Sequence, residues 1–178
     1  MRTLLFSLAL GVSLVSSAQA QDAEAEKKAI AKIRESGALV LEIAQNDNRL
    51  DVSYITASPK LTAEQLAPLK DLTRLAKLNL GRLEIGDDAL AAIANQKTLV
   101  RLHLEKTKVT DKGLEQLKAL ENLEYLNLYG TEIGDAGLAQ LEGLKKLKNL
   151  YLWQTKVTDE GVKKLQAAVP GLKIDRGT

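Results

Sequence analysis

The second half of the sequence repeats itself every 24 residues, and this period constrains the fold more than any other feature. The clearest copy runs from Leu123 to Leu147 and reads L-x-x-L-x-L-x-x-T-x-I-G-D-x-G-L-x-x-L-x-x-L-x-x-L. Further copies start at Leu99 and Leu147, and a looser one starts at Leu75. A short fixed period of this kind is typical of a solenoid, in which each repeat forms one coil that stacks on the next.

The spacing within one repeat predicts two walls for each coil. Leu102 and Leu104 are two residues apart, so both point into the core if the segment is a strand, and the residues beside them point outward. The following G-L-x-x-L-x-x-L segment has a spacing of three, which suits a short helix on the opposite wall. The sequence therefore predicts an α/β solenoid with a continuous aliphatic core.

Two polar residue types recur with the same period. Threonines stand where the chain leaves each strand, at Thr107, Thr131 and Thr155. Their hydroxyls are predicted to form a ladder from coil to coil. Aspartates precede the helical segments, at Asp87, Asp111, Asp135 and Asp159. We interpret them as helix N-caps or as first-turn charges, and a row of cation-binding carboxylates is the alternative.

The repeats resemble the leucine-rich repeat family over about Leu75 to Leu172. The V/I-T/G-D-x-G-L segment is similar to the cysteine-containing, F-box-associated subclass, with Thr in place of its usual Cys or Asn, here in an exported bacterial type. The resemblance implies a right-handed solenoid with a concave parallel sheet and short helices on the convex side. It also implies a binding module, mostly for proteins, and it does not imply an F-box adaptor.

Residues 1–20 are predicted to be a signal peptide. Arg2 supplies the charged start, Leu4 to Val15 the apolar run, and Ala18 to Ala20 the small-residue cleavage site. The mature chain would begin at Gln21 and be exported, either to the periplasm or out of the cell, with no stable membrane insertion. Because the sequence has no Cys, neither a disulfide nor a lipid attached to Cys is expected, and packing alone must stabilise the fold.

Residues 21–56 are predicted to cap the first coil. Residues 23–36 are rich in helix formers and are followed by Gly37, and the runs 39–43 and 50–55 flank a polar turn in a hairpin pattern. The second hairpin strand is expected to serve as the first strand of the main sheet. Residues 57–174 are assigned to the repeat domain, with an open register between Leu50 and Leu66, and residues 175–178 are expected to fray.

The aromatic residues are concentrated at outward positions of two adjacent repeats. The chain has six aromatic residues, and four of them fall at such positions: Tyr125, Tyr129, Tyr151 and Trp153. The candidate ligand-binding residues are Arg101, His103, Glu105, Tyr125, Asn127, Tyr129, Asn149, Tyr151 and Trp153. Exposed Tyr and Trp beside polar side chains are typical of a binding hot spot. The alternative is that Tyr129 and Trp153 pack on each other and cover the edge of the sheet.

Nothing in the sequence indicates an enzyme. The motifs of serine hydrolases, zinc proteases, P-loop proteins and c-type haem proteins are absent. His103 is the single His in a chain without Cys, so we interpret it as a contact residue and predict neither a metal nor a cofactor. With 25 basic and 23 acidic side chains, the overall charge gives no reason to expect nucleic acid or an anionic membrane.

These features predict an exported, non-enzymatic recognition or scaffold module that binds a protein through its concave sheet. The alternative ligand is a carbohydrate or cell-wall glycan, because flat Tyr and Trp rings beside Asn amides also suit sugar rings.

Overall fold

The computed structural model describes the backbone of residues 9–177 and the side chains of residues 19–177. Arg2 and the beginning of the apolar run of the predicted signal peptide lie outside the described residues. The chain forms one seven-stranded sheet whose strands are adjacent in chain order. The strands are β1 Leu39–Ala44, β2 Asp47–Ser53, β3 Leu75–Asn79, β4 Arg101–His103, β5 Tyr125–Asn127, β6 Asn149–Tyr151 and β7 Lys173–Asp175.

The sheet follows the 24-residue period of the sequence. β1 and β2 are antiparallel, and all later neighbours are parallel. Leu102 pairs with Leu78 on one side and with Leu126 on the other, so equivalent residues of successive repeats lie side by side. This register confirms the predicted strand phase and the α/β solenoid.

Short helices form the opposite wall. They are α2 Ala63–Leu66, continued by a 3-10 helix at Ala67–Asp71, a 3-10 helix at Asp87–Ile93, α3 Asp111–Leu114 with a 3-10 helix at Glu115–Leu117, α4 Asp135–Ala139 and α5 Asp159–Ala168. The coil at Asp87–Ile93 is irregular, as the sequence predicted. There Gln96 replaces a core leucine, and its buried Nε2 donates to the carbonyl of Leu69 at 2.6 Å.

The N-terminal helix α1 spans Ala9–Glu35 and therefore starts well before the predicted residue 23. Residues 19–25 are all exposed, and packing begins at Glu26, followed by the buried Ala29 and Ile33. The Glu26 carboxylate accepts the backbone N–H of Thr73 at 2.8 Å and Nε of Arg74 at 2.9 Å. The second half of α1 is thus fixed to the repeats by both apolar and charged contacts.

No helix among residues 9–177 is both long and apolar enough to cross a membrane.

The hairpin of β1 and β2 completes the predicted helix and hairpin at the N-terminal end. β2 pairs in parallel with β3, starting at Leu50 and Leu75, with a register shift after Leu50. This pairing fixes the register left open by the sequence and confirms that the second hairpin strand begins the main sheet.

At the other end, β7 includes Asp175, and the guanidinium of Arg176 bonds Asp159 and the carbonyl of Val157.

The predicted threonine ladder between coils is wrong. The hydroxyls of Thr107, Thr131 and Thr155 donate to carbonyls three residues earlier, those of Leu104, Leu128 and Leu152, at 2.8, 2.6 and 2.7 Å. These bonds stay within one coil. The physical reason is that the turn brings each carbonyl back over its own Thr, so that the local bond forms in preference to a longer one.

Aspartates form the ladder between coils instead. Asp87 accepts the backbone N–H and the hydroxyl of Thr110 at 2.8 and 2.7 Å, and Asp135 accepts the same groups of Thr158 at 2.8 and 2.6 Å. Asp111 accepts the N–H of Gly134 at 2.7 Å. Each Asp lies in the first turn of its own helix, which confirms the first-turn interpretation, while the preceding Gly or Thr holds the N-cap position.

The ladder also explains the Gly of the D-x-G segment. A Cβ on Gly137 would collide with the Asp111 carboxylate of the preceding coil, and one on Gly161 would collide with Asp135. Asp and Gly of this motif therefore act across neighbouring coils: the missing side chain makes room for the carboxylate that links the two helical segments.

Replacing Leu126 by Ala should destabilise the protein by about 2–5 kcal/mol, because this side chain is fully buried in the shared core and the neighbouring coils cannot both collapse into the space. Denaturant unfolding followed by circular dichroism measures the change. A loss no larger than that of a surface substitution would contradict the assigned strand phase.

Two Gly-to-Ala substitutions test the aspartate ladder. Gly137→Ala should destabilise the fold by about 1–3 kcal/mol, the usual scale of overpacking, because the added Cβ displaces Asp111. Gly143→Ala is the matched control, since an added Cβ there meets no atom within 4 Å, and it should be neutral or slightly stabilising. Equal melting temperatures for the two variants would contradict this role of the glycine.

Candidate binding face

Two rows of side chains cross the sheet on the side away from the core, and we call them together the concave face. The first row is Leu41, Asp51, Lys77, Arg101, Tyr125, Asn149 and Lys173. The second row is Leu39, Ser53, Asn79, His103, Asn127, Tyr151 and Asp175. Six of the nine candidate residues lie in these rows, on β4 to β6.

The other three candidates lie beyond the strands. The sequence predicts Glu105, Tyr129 and Trp153 as outward strand positions, but they lie in the turns that follow β4, β5 and β6. The reason is that each of these strands is only three residues long, so the chain is already turning at the third outward position. We call these turn residues, together with the residue after each, the rim.

Sequence reasoning missed the N-terminal end of the concave face. Leu39 and Leu41 are 51 % and 53 % exposed, and they lie opposite Ser53 and Asp51 in the sheet. The sequence assigned them to a cap that covers the core, because residues 39–41 are apolar throughout and do not show which side is buried. The structure buries Val40, and both leucines therefore point to the other side of the sheet.

Aromatic rings connect neighbouring strands and join the two rows. The Arg101 guanidinium lies 4.5 Å from the centre of the Tyr125 ring, and the rings of Tyr125 and Tyr151 are 5.2 Å apart. The His103 ring is 4.8 Å from that of Tyr125. Partial burial and the neighbouring Tyr151 raise the pKa of Tyr125, so its hydroxyl stays neutral. The centre of the face is thus a packed group of rings with one stacked cation.

A second stack follows the rim. Lys106 Nζ is 5.2 Å from the centre of the Tyr129 ring, and Tyr129 meets Trp153 edge to face at 6.5 Å and 82°. Trp153 Nε1 donates to Asp175, and Gly177 lies against its ring with a φ of +76°. Tyr129 and Trp153 therefore do contact each other across strands, yet Trp153 remains 45 % exposed and available to a ligand.

Glu105 and His103 form a polar pair beside the rings. Glu105 Oε2 is 3.3 Å from His103 Nδ1, and a Cβ at Gly81 would lie 2.5 Å from Glu105 Oε1, so Gly81 leaves the room that the carboxylate fills. Partial burial raises the pKa of Glu105, but the nearby imidazole of His103, the backbone of Glu105 and the charge of Arg82 outweigh it and keep the pKa below its usual value. Glu105 Oε2 is buried and has no hydrogen-bond partner among the described residues. The pair orders the turn after β4.

The side chain of Asn127 lies on the concave face and also bonds the backbone of the turn that follows β5. Its Oδ1 accepts the backbone N–H of Tyr129 at 3.1 Å, and Asn79 does the same for Gly81 at 2.9 Å. These bonds fix the direction in which the chain leaves the strand. Within residues 19–177, no group of three or more His, Cys, Asp or Glu side chains is placed to hold a metal ion.

Comparison with known proteins identifies the repeats. Residues 95–118 and 119–141 match the family model described as Leucine Rich repeat. No curated protein sequence matches the chain significantly. Among solved structures, the ectodomain of the receptor kinase SOBIR1 from Arabidopsis thaliana is 16 % identical with a TM-score of 0.53, over 86 % of this chain and 91 % of that one. The tropomodulin C-terminal domain from Caenorhabditis elegans is 13 % identical with a TM-score of 0.53, over 82 % and 92 %.

Internalin C2 from Listeria monocytogenes is 25 % identical over 61 % of this chain, with a TM-score of 0.48. The chain covers 54 % of that internalin, about half of its length. The family match and the two longer structural matches lead to one conclusion: the chain contains leucine-rich repeats and folds as a leucine-rich repeat solenoid.

Replacing Glu105 by Gln should make the free energy of unfolding depend less on pH in the acidic range. Because the pKa of Glu105 is lowered in the folded state, the ionised group stabilises the fold above the ordinary Glu pKa of about 4.3, and this contribution is lost as the pH falls through the lowered value. Denaturant unfolding at a series of pH values measures the effect. Glu115→Gln on the helical wall is the control, and identical slopes for both variants below pH 4.3 would contradict the role of the pair.

Proposed function

We propose that this protein is an exported, non-enzymatic recognition module that binds a protein partner through the concave face and the rim. The observation that carries the proposal is the placement of its aromatic side chains. The core of the repeats is aliphatic, while Tyr125, Tyr129, Tyr151 and Trp153 all lie on this one open surface. Tyr, Trp and Arg are the residue types that most often dominate binding energy at protein interfaces.

The shape and the chemistry of the surface support a protein ligand. Solenoids offer extended concave surfaces, and the leucine-rich repeat fold is consistent with a protein-interaction module. The face changes along its length from the exposed Leu39 and Leu41, through charged strands, to the ring stacks. Such alternation of apolar and charged areas suits the mixed surface of a folded protein.

His103 is assigned a contact role in this proposal. Its Nδ1 faces Glu105 and its ring packs against Tyr125, so both sides of the imidazole are engaged in holding the face together. Export is supported by the exposure of residues 19–25 of α1, because cleavage after Ala20 would remove none of the described core contacts.

A carbohydrate or cell-wall glycan is the second candidate ligand. It is favoured by the exposed ring of Trp153 and by the polar side chains of Asn149 and Gln154 near it. A glycan would use the flat faces of the rings, whereas a protein partner would also use the charged strands and Leu39 and Leu41.

Mutating Tyr129 and Trp153 to Ser separates binding from stability. The double mutant should lose about 1–2 kcal/mol of stability, the scale of one cross-strand pair and the Trp153 hydrogen bond. Each single substitution should cost at least about 2 kcal/mol of affinity for the partner. A partner captured from the envelope fraction, then purified, provides the binding isotherm, and glycan arrays test the second candidate.

Lys112→Ser is the control for this experiment, since Lys112 is exposed on α3 at the other wall, and it should leave the affinity unchanged. A double mutant that folds and binds like the wild type would show that the two rings pack on the sheet and do not contribute to binding.

A further inference from the structure

We propose that the partner of this face presents an acidic segment whose carboxylates bind between Arg101 and Lys106. This inference rests on the proposed function and names the chemistry of the partner. It follows from a difference between the two signs of charge on this surface. The acidic side chains have a basic or N–H group close to them inside the molecule, whereas Arg101 and Lys106 lie over tyrosine rings.

The acidic side chains of the concave face and the rim are all engaged. Asp51 lies 3.8 Å from Lys77 Nζ, and Glu105 lies 3.3 Å from His103. Asp175 accepts Trp153 Nε1 and the backbone N–H of Gly177, the latter at 3.0 Å. Each of these carboxylates therefore has a basic or N–H group close to it inside the chain, although Glu105 Oε2 itself is buried without a hydrogen-bond partner.

Several cations of the same surface, in the part of the chain that the structure describes, are not neutralised in this way, among them Lys173 as well as Arg101 and Lys106. Within residues 19–177, neither Arg101 nor Lys106 has a carboxylate at salt-bridge distance, and each instead lies over a tyrosine ring. Other lysines of the repeats pair with a Glu one coil earlier: Lys108 with Glu84, Lys148 with Glu124 and Lys156 with Glu132. One coil before Arg101 and Lys106, where these other lysines have a Glu, the chain has Lys77 and Arg82, which are also basic.

This arrangement is unfavourable for the isolated fold. Lys77 and Arg101 are direct neighbours on adjacent strands, where like charges destabilise a sheet. Arg82, Lys106 and Gln154 have φ angles of 67°, 57° and 53°, in the left-handed region that disfavours residues with a Cβ, and Gly130 holds the equivalent position of the coil between Lys106 and Gln154. Glycine in place of Arg82 or Lys106 would relieve both the backbone strain and the repulsion between the two charges, so the fold itself does not require these basic side chains.

An acidic protein segment fits this surface better than a polyanion does. Nucleic acid carries phosphates at short regular intervals, and they would meet the carboxylates of Asp51, Glu105 and Asp175 on the same face. A segment with a few carboxylates beside apolar residues would instead place its charges at Arg101 and Lys106. Its apolar side chains would then reach Tyr129 and Trp153, which adjoin Lys106 along the rim.

The test is a selection from a library of random 12-residue peptides on the immobilised full chain. We expect the peptides selected by the wild type to be enriched in Asp and Glu relative to the input library. The Arg101→Glu, Lys106→Glu variant should select basic peptides instead, and the acidic peptides should bind it at least tenfold more weakly. The neutral variant Arg101→Gln, Lys106→Gln should show an intermediate loss of affinity for the acidic peptides. It replaces the charge-reversed variant in the test if that variant does not fold.

Lys112→Glu, Lys118→Glu is the matched control, because it makes the same change in net charge at two exposed positions of the helical wall and should select the same peptides as the wild type. Peptides without acidic enrichment, bound equally by wild type and reversed variant but lost with Tyr129→Ser, Trp153→Ser, would overturn this inference and leave the proposed function standing. Selection of no peptide by the wild type would count against both. Retention of a 20-base-pair DNA duplex through Arg101 and Lys106 would replace the acidic segment by nucleic acid.

Discussion

Each coil of this protein depends on its neighbours, because no single coil buries enough apolar surface to be stable. Leu102, Leu126 and Leu150 lie in register on adjacent strands and are fully buried, so every coil completes the core of the one before it. Helix α1 and the hairpin pack against the first coil, and β7 and Arg176 contact the last coil that the structure describes.

The same stacking determines the hydrogen bonds between coils on the helical wall. An Asp in the first turn of one helix bonds the backbone that leads into the next helix, and a Gly in that helix leaves space for the carboxylate. Asp159, the last of these aspartates, accepts a hydrogen bond from the guanidinium of Arg176. The helical wall is therefore held by direct hydrogen bonds between coils.

A rigid stack leaves the concave face and the rim free to carry groups that lie outside the core. The rings of Tyr125, Tyr151 and Trp153 contribute nothing to the aliphatic core, and Arg101 and Lys106 stand beside other basic residues. Electrostatic complementarity of this kind acts mainly on the choice of partner and on the rate of association. An acidic protein partner would use both the rings and the uncompensated charges.

The sequence by itself determined the period, the strand phase and the leucines of the core, because a repeat in register has only one way to place Leu102 and Leu104 inside. It also located the aromatic surface, since Tyr125 and Tyr151 alternate with buried residues. The tertiary structure alone decided which polar groups meet. Asp111 reaches a neighbouring coil while Thr107 does not, and Leu39 and Leu41 join the concave face through pairing with β2. Such contacts depend on distances between coils, and the spacing of residues along one chain does not contain these distances.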